Sequence, residues 1–265
     1  MVVGGGAFEL AGPDRILRDV GLRADPVRSL PASHWPIGEG ALVSSHLPAP
    51  AAWAMARPPG DAPLDGALVC LHGQGGDERF PFDVVRVHDV VAESGLRLGV
   101  AAVDGGTTSY WHARADGSDA GRMVLDDFVP LVRERLGTDR VAVIGWSMGG
   151  FGALRLAQES PSTFDAVVAC SPALWREVRE SPFGAFDGAD DFAATNLFAH
   201  HDHLDPRRIR VDCGEADSFV VNARAFARAL GPRATSTFAP GGHDALFWRW
   251  VAPREVAFVG RQLRV

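Results

Sequence analysis

Short apolar runs alternate with longer amphipathic segments along most of the chain. The runs are rich in Val, Ala, Leu and Ile, and they predict buried strands at 66–72, 96–103, 140–145, 164–170, 208–214 and 234–239. Apolar residues at helical spacing predict helices at 82–95, 122–137, 148–160, 218–231 and 244–263. Strands that alternate with helices indicate crossover connections and a parallel sheet covered on both faces. The pattern therefore predicts a doubly wound α/β fold.

Three segments fall outside this alternation. Residues 41–59 resemble an antiparallel hairpin that leads into the sheet, whereas residues 1–40 show no periodicity and are expected to wrap the surface irregularly. Residues 172–206 separate two core strands by far more than a usual connection, and long insertions of this kind are often functional lids. A chain of 265 residues without an internal repeat is expected to form a single α/β domain, 1–265.

The join between the third predicted core strand and the helix after it carries Ser147 in the pattern G-x-S-x-G. A strand that ends at Gly145 and a helix that begins at Met148 require a very sharp turn, and bulky side chains at Gly145 or Gly149 would collide with the adjoining elements. Such a nucleophile elbow projects the serine hydroxyl above the sheet. The alternative is a glycine-rich turn that only packs the helix on the sheet.

A serine hydroxyl needs a base, and the base needs an orienting carboxylate. In this fold the acid and then the histidine follow the serine, on loops after later strands. Asp217 stands in the loop after 208–214, and His243 stands in a glycine-flanked loop after the last strand. Asp212 lies within its strand and Glu215 is a nearer rival, so position in the loop favours Asp217 as the acid.

Acyl transfer also requires two amide donors for the developing oxyanion, and Met148 at the helix N-terminus would supply one. The second normally comes from the loop after the strand that precedes the first helix. That loop reads LHGQGGDERF, and its small residues favour the amide of Gln74. His72 in the same loop is expected to be structural.

A group of histidines, His200, His201 and His203, lies near Asp202 and Asp205 in the 172–206 segment. Imidazole and carboxylate groups can bind a metal, but this spacing matches no established ligand motif. A solvated loop is the preferred interpretation, and neither a metal nor an organic cofactor is expected.

Composition narrows the class of protein further. The net charge of −7 and the absence of clustered basic residues argue against nucleic-acid binding. No apolar stretch is long enough to cross a bilayer, so no membrane association is expected. Three cysteines without a framework and a start without a signal-peptide pattern favour a cytoplasmic location.

Taken together, several segments resemble the putative-esterase family of the α/β-hydrolases, which includes esterase D-like enzymes, feruloyl-esterase-like proteins and the antigen 85 mycolyltransferases. The resembling pieces are LVCLHGQGGDE, AAVDGGTTSYW, VAVIGWSMGGFGALRLA, VVACSPALW, VDCGEADSF and GGHDALFWRW, and they span most of residues 66–250. The resemblance implies the following roles: Ser147 as nucleophile, Asp217 as acid, His243 as base, and the amides of Gln74 and Met148 as the oxyanion hole.

The resemblance also implies that Trp111 and Trp175 lie near the site, although core packing explains both equally well. The mycolyltransferases are secreted and use a glutamate as acid, whereas this chain offers Asp217, which favours hydrolysis over transfer. We therefore expect a serine esterase that cleaves a small-molecule ester through an acyl-enzyme. The alternatives are an acyltransferase or thioesterase with the same intermediate, a non-catalytic ligand-binding protein and, less favoured, a peptidase.

Overall fold

The computed structural model describes residues 30–264, and its centre is an eight-stranded sheet. The strand order is β1-β2-β4-β3-β5-β6-β7-β8. Strands β3 to β8 run parallel to one another, and β2 runs antiparallel to both of its neighbours, β1 and β4. The strands are β1 (Ile37–Leu42), β2 (Ala51–Ala56), β3 (Gly66–Leu71), β4 (Leu98–Val103), β5 (Val141–Trp146), β6 (Ala166–Cys170), β7 (Ile209–Gly214) and β8 (Thr235–Ala239).

Helices lie in all five segments where amphipathic spacing predicts them, and a further short helix, Ala189–Thr195, lies in the 172–206 segment, where none was predicted. They are α1 (Val87–Ser94), α2 (Ala120–Arg122), α3 (Val129–Leu136), α4 (Met148–Glu159), α5 (Ala189–Thr195), α6 (Val220–Leu230) and α7 (Ala245–Gln262). Two predicted helices contain a π-helical turn, Pro81–Val85 before α1 and Met123–Phe128 between α2 and α3. The first of these turns ends at Arg86, whose φ of 64° breaks the helix.

The central strands are buried on both faces, which explains why they are visible as continuous apolar runs. All residues of β3 to β7 are buried. Alternate side chains of β3 face two separate apolar layers, one built mainly from the segment α2 to α4 and α6, the other from α1 and α7. Helices therefore cover both faces of the sheet, and the predicted fold class is confirmed.

The antiparallel hairpin before the core strands is confirmed, but it begins earlier than the sequence indicates. Ile37 pairs with Ala56, so residues 37–40 belong to a strand and not to an irregular segment. Gly38 and Gly40 in this strand weaken its apolar pattern, and Gly40 leaves room for the Trp53 ring. Residues 1–29 of the segment predicted as irregular lie outside the described residues.

Within residues 30–264, no helix has the length and apolar character needed to span a membrane.

Candidate active site

The turn between β5 and α4 holds Ser147 in a strained backbone conformation. Its φ is 57° and its ψ is −116°, a backbone conformation that residues other than glycine rarely adopt. A Cβ on Gly145 would collide with the backbone of Gly149, and a Cβ on Gly149 would collide with the carbonyl of Leu71. Both glycines are therefore required for the turn, and the turn presents the Ser147 side chain at the carboxyl edge of the sheet.

Loops from two other strands bring a histidine and an aspartate to the same edge. The Nε2 of His243, after β8, lies 3.0 Å from the Oγ of Ser147. The Nδ1 of His243 lies 2.9 Å from the Oδ2 of Asp217, which follows β7. The three side chains thus form one connected series of hydrogen bonds, which is the geometry required to activate a serine hydroxyl.

The Asp217 carboxylate is buried but well supplied with donors. Its Oδ1 accepts a hydrogen bond of 2.9 Å from the backbone N–H of Phe219. Burial alone would raise the pKa of Asp217, but the bonds from His243 and Phe219 outweigh it and the pKa lies below its ordinary value. Asp217 therefore remains a carboxylate that can hold an imidazole in one tautomer.

The two rival acids point elsewhere. Glu215 is exposed, and its Oε1 accepts a hydrogen bond of 2.8 Å from Arg224. Asp212 is fully buried, where desolvation raises its pKa despite an ion pair with Arg210 at 2.6 Å. The structure therefore brings only Asp217, among these three acids, into contact with His243.

The two amides predicted to bind the oxyanion belong to residues close to Ser147, because Met148 follows it in the chain and Gln74 lines the same cavity. Met148 is the first residue of α4, and Gln74 lies in the loop after β3. Neither amide has an acceptor among residues 30–264, which leaves both N–H groups available to a ligand.

His72 stabilises the loop that carries Gln74. The Nδ1 of His72 lies 2.8 Å from the carbonyl oxygen of Gly73, and its Nε2 accepts a bond of 3.0 Å from the N–H of Gly105. The ring is fully buried and does not contact Ser147. These contacts agree with the structural role expected of His72.

A cavity of about 820 Å³ opens above Ser147 and His243. Five aromatic side chains, Phe80, Tyr110, Trp175, Phe219 and Trp248, form much of its wall. The remaining lining residues are Gly73, Gln74, Glu180, Ser181, Pro182, Ser218 and Asn222.

Tyr110 and Gln74 meet inside this cavity. The hydroxyl of Tyr110 donates a hydrogen bond of 3.3 Å to the Oε1 of Gln74. Burial raises the pKa of Tyr110 to about 12, so its hydroxyl remains protonated. The wall near the Gln74 amide is therefore polar but uncharged.

Of the two tryptophans considered near the site, only Trp175 lines the cavity. Trp111 is fully buried, and a Cβ on Gly105 or Gly152 would collide with its indole ring. Its ring also packs edge-on against His72 at 5.0 Å. Trp111 therefore does not line the cavity, and its contacts in the structure are those of core packing.

The 172–206 segment forms one wall of the cavity through Trp175, Glu180, Ser181 and Pro182. An ion pair of 2.9 Å joins Asp187 to Arg114, and the Ala115 N–H also donates to Asp187 at 2.6 Å. These bonds lower the pKa of Asp187 to about 2. The segment is thus fastened to the loop after β4 by charge-assisted hydrogen bonds.

The histidine group in this segment is not arranged around a common point. The His200 and His203 ring centroids lie 6.4 Å apart, and the Nδ1 of His201 instead contacts the carbonyl of Phe198 at 3.0 Å. Within the described part of the chain, no group of three or more His, Cys, Asp or Glu side chains is placed to hold a metal ion.

Two aromatic side chains contact His243 that were not predicted from the sequence. The Phe219 ring lies 5.3 Å from the imidazole and the Trp248 ring lies 5.4 Å away, both edge-to-face. The sequence offered a signal for each, because Phe219 is two residues beyond Asp217 and Trp248 is in the first turns of the helix after His243.

This sheet, with its serine turn and cavity at the carboxyl edge, defines an α/β-hydrolase, and solved structures agree. A ferulic acid esterase superposes with a TM-score of 0.72 at 21% identity, covering 86% of this chain and 98% of the other. The S-formylglutathione hydrolase of Agrobacterium tumefaciens gives 0.74 at 16% identity, covering 91% and 100%. MPT51 of Mycobacterium tuberculosis gives 0.70 at 16%, covering 86% and 98%. At these identities the likeness shows a shared fold.

The family follows from the sequence itself. The sequence model of the family described as Putative esterase matches residues 104–239, just over half of the chain. A search of curated proteins found no significant match. The chain therefore belongs to this esterase family and is a carboxylesterase-type hydrolase, as its motifs indicated. The matched range contains Ser147 and Asp217, and His243 lies just beyond it.

Proposed function

We propose that the protein hydrolyses carboxylic esters through an acyl-enzyme, with Ser147 as nucleophile, His243 as general base and Asp217 as the orienting acid. The observation that carries this proposal is the unbroken series of hydrogen bonds, 2.9 Å from Asp217 to His243 and 3.0 Å from His243 to Ser147. A structural serine would not need a buried carboxylate behind a histidine at its hydroxyl.

In the first half of the reaction, Nε2 of His243 takes the Ser147 proton while Oγ attacks the ester carbonyl carbon. The tetrahedral intermediate collapses, the C–O bond to the alcohol breaks, and His243 returns the proton to the leaving oxygen. In the second half, His243 deprotonates water, which attacks the acyl carbon. The bond between that carbon and Oγ then breaks, His243 returns the proton to Oγ of Ser147, and the acid is released. Asp217 keeps its charge throughout and stabilises the imidazolium.

The amides of Gln74 and Met148 form the proposed oxyanion hole. Each N–H lacks an acceptor among the described residues, so both can donate to the oxyanion without breaking another bond. Met148 adds the partial positive charge of the α4 N-terminus. Each such donor contributes about 3 kcal/mol of transition-state stabilisation in enzymes of this kind.

The cavity lining supports an uncharged ester as the substrate. Among the described residues that line it there is no lysine or arginine, and besides His243 and Tyr110 the ionisable side chain of the lining is that of Glu180. Glu180 accepts backbone hydrogen bonds from Arg176 and Glu177 through Oε2. A substrate whose acyl or alcohol part carries a carboxylate or phosphate would find no cation here, so neutral esters are expected to react faster.

The decisive experiment compares two cavity serines. Ser147→Ala should lower p-nitrophenyl butyrate hydrolysis by about 10³-fold or more and abolish labelling by a fluorophosphonate probe. Ser218→Ala, which removes another hydroxyl that lines the cavity, should retain both signals. Activity of Ser147→Ala within a few-fold of the parent protein would exclude Ser147 as nucleophile, and a folded parent that does not react with the probe would favour a binding protein.

Acyl transfer uses the same acyl-enzyme and differs only in the acceptor. Product analysis in the presence of competing alcohols, amines and thiols separates the two reactions. A free acid as the main product supports hydrolysis, whereas capture of most acyl groups by one acceptor would replace hydrolysis with transfer.

A further inference from the structure

Ser171, the first residue after β6, has an unusual combination of properties. It is fully buried, and its φ of 47° lies in the left-handed region although it is not glycine. Backbone strain of this kind persists where surrounding contacts enforce it. A glycine at position 171 would relieve the strain but would lack the hydroxyl. The steps proposed above do not use this hydroxyl, so its contacts need another explanation.

The Ser171 hydroxyl is hydrogen-bonded to Trp248, which lines the cavity. Its Oγ accepts a hydrogen bond of 3.1 Å from the indole Nε1–H of Trp248. Ser171 is also among the groups that hold the pKa of the Asp217 carboxyl below its ordinary value. The Ser171 backbone N–H donates to the carbonyl of Asp212 at 2.7 Å, which fixes the hydroxyl relative to β7.

Trp248 connects Ser171 to the proposed base. Its indole packs edge-on against the imidazole of His243, with centroids 5.4 Å apart and planes at 85°. A series of contacts therefore runs from Ser171 to Trp248, from Trp248 to His243 and from His243 to Asp217. The His243 imidazole is therefore held at Nδ1 by the Asp217 carboxylate and by an edge-to-face contact with the Trp248 indole.

We propose that Ser171 and Trp248 are positioning residues for the base, and that the hydrogen bond from the Trp248 indole to the Ser171 hydroxyl holds the indole against the His243 imidazole. This inference rests on the proposed function, because it assigns roles relative to the proposed base. It adds two residues that act through other residues and do not take part in bond making.

The proposal predicts an effect on proton transfer and not on substrate binding through Ser171. Without the bond to Ser171 the Trp248 indole is no longer fixed against His243, so kcat should fall. Ser171 also holds the pKa of Asp217 down, so its loss makes the carboxylate a stronger acceptor for His243 and favours the imidazolium, and the acid limb of kcat/KM should move to higher pH. The Cys213 thiol on β7 also interacts with Asp217, but burial raises its pKa, so it remains neutral through this range. The shift is therefore attributable to the carboxylate and imidazole.

The test uses Ser171→Ala and Trp248→Phe in the full chain. Ser171→Ala should lower kcat about 10-fold with KM within about 2-fold, and it should move the acid limb up by roughly half a pH unit. Trp248→Phe keeps an aromatic ring beside His243 but removes the N–H, so it should lower kcat in the same direction. The double variant should lose less than the product of the two single effects, because both changes break one network.

Two matched controls lie away from the site. Ser44→Ala removes another nearly buried serine, whose Oγ donates to Asp127 at 2.7 Å, and Trp250→Phe changes a second tryptophan of α7. Both should leave the pH profile unchanged. If Ser171→Ala does not fold, Ser171→Gly, which suits the left-handed backbone, carries the same test.

The inference is overturned if Ser171→Ala or Ser171→Gly keeps the parent acid limb and loses no more kcat than Ser44→Ala. It is also overturned if the effects of Ser171 and Trp248 multiply independently. Failure of the proposed function is a separate result, since it requires an active Ser147→Ala variant, whatever Ser171 does.

Discussion

Replacement of Asp217 by asparagine tests the proposed site most sharply, because it changes charge with almost no change of shape. The Phe219 N–H donates to Oδ1 of Asp217 at 2.9 Å, and an asparagine oxygen in that position would keep the bond. The asparagine NH₂ group would then face Nδ1 of His243, where Oδ2 now lies at 2.9 Å. Nδ1 of His243 would then have to accept a hydrogen bond, whereas it now donates one to Asp217.

The tautomer of His243 would therefore reverse. The ring proton moves to Nε2, which lies 3.0 Å from the Ser147 hydroxyl and can no longer accept its proton. A misplaced tautomer in an otherwise intact serine, histidine and acid arrangement lowers kcat by about 10⁴-fold, equivalent to about 5 kcal/mol of activation free energy. KM should change little, because Asp217 does not line the cavity.

The assay is steady-state hydrolysis of p-nitrophenyl butyrate across pH, with circular dichroism and denaturant unfolding to show that Asp217→Asn folds. The pKa of Asp217 lies below its ordinary value in the folded protein, so its charge stabilises the fold above that ordinary value and this contribution is lost as pH falls through the folded pKa. Asp217→Asn should therefore lose less unfolding free energy on acidification than the parent protein.

Glu215→Gln is the matched control, because Glu215 is the neighbouring acid and pairs with Arg224 at the surface. Its activity should stay within about 3-fold of the parent value, since exposed ion pairs contribute little. A value of kcat for Asp217→Asn within ten-fold of the parent, or an equal loss in Glu215→Gln, would refute the assignment of the acid.

Four further substitutions test the structure around the site. Gly149→Ala places a Cβ against a strand carbonyl that cannot move aside, so denaturant titration should show a loss of about 3 kcal/mol or more, and an unchanged midpoint would contradict the elbow geometry. Trp111→Ala should lower the unfolding free energy by about 3–5 kcal/mol without changing KM, whereas Trp175→Ala should raise KM, and the reverse pattern would restore Trp111 to the cavity. The pKa of Asp187 in the folded protein is about 2, below its ordinary value. The ion pair with Arg114 therefore stabilises the 172–206 segment above about pH 4, and this stabilisation is lost as the pH falls to about 2. Asp187→Asn should therefore exchange amide hydrogens faster in this segment near pH 7, and protection equal to that of the parent would argue against the fastening.

The core strands were predictable because burial on both faces turns each of them into one uninterrupted apolar run. The strand β5 (Val141–Trp146) lies within one residue of the predicted 140–145 at each end. The π-helical turn Met123–Phe128 was not predictable, since its side chains keep a spacing that also fits an ordinary helix. The start of the hairpin was not predicted either, because the two glycines of β1 interrupt the apolar alternation that would indicate a strand.

Local pattern was informative at Ser147, where fixed glycines and flanking elements restrict the geometry to a sharp turn. It favoured Asp217 over Glu215 by position in the loop alone, because the direction of each side chain depends on contacts that the loop makes with distant residues. The N–H of Ala216 donates to the carbonyl of Gly241 at 2.9 Å, and this pairing of two distant loops turns Asp217 inward. Trp111 shows the same limit, since its burial depends on small residues remote in the chain.

The left-handed backbone at position 147 sets the proposed chemistry against the stability of the fold. A serine there costs about 1–3 kcal/mol relative to a residue without a Cβ. A glycine would therefore give a more stable protein that lacks the proposed nucleophile, and selection for heat tolerance alone would favour that replacement. Any programme to stabilise this chain should hold position 147 fixed and seek its gains elsewhere.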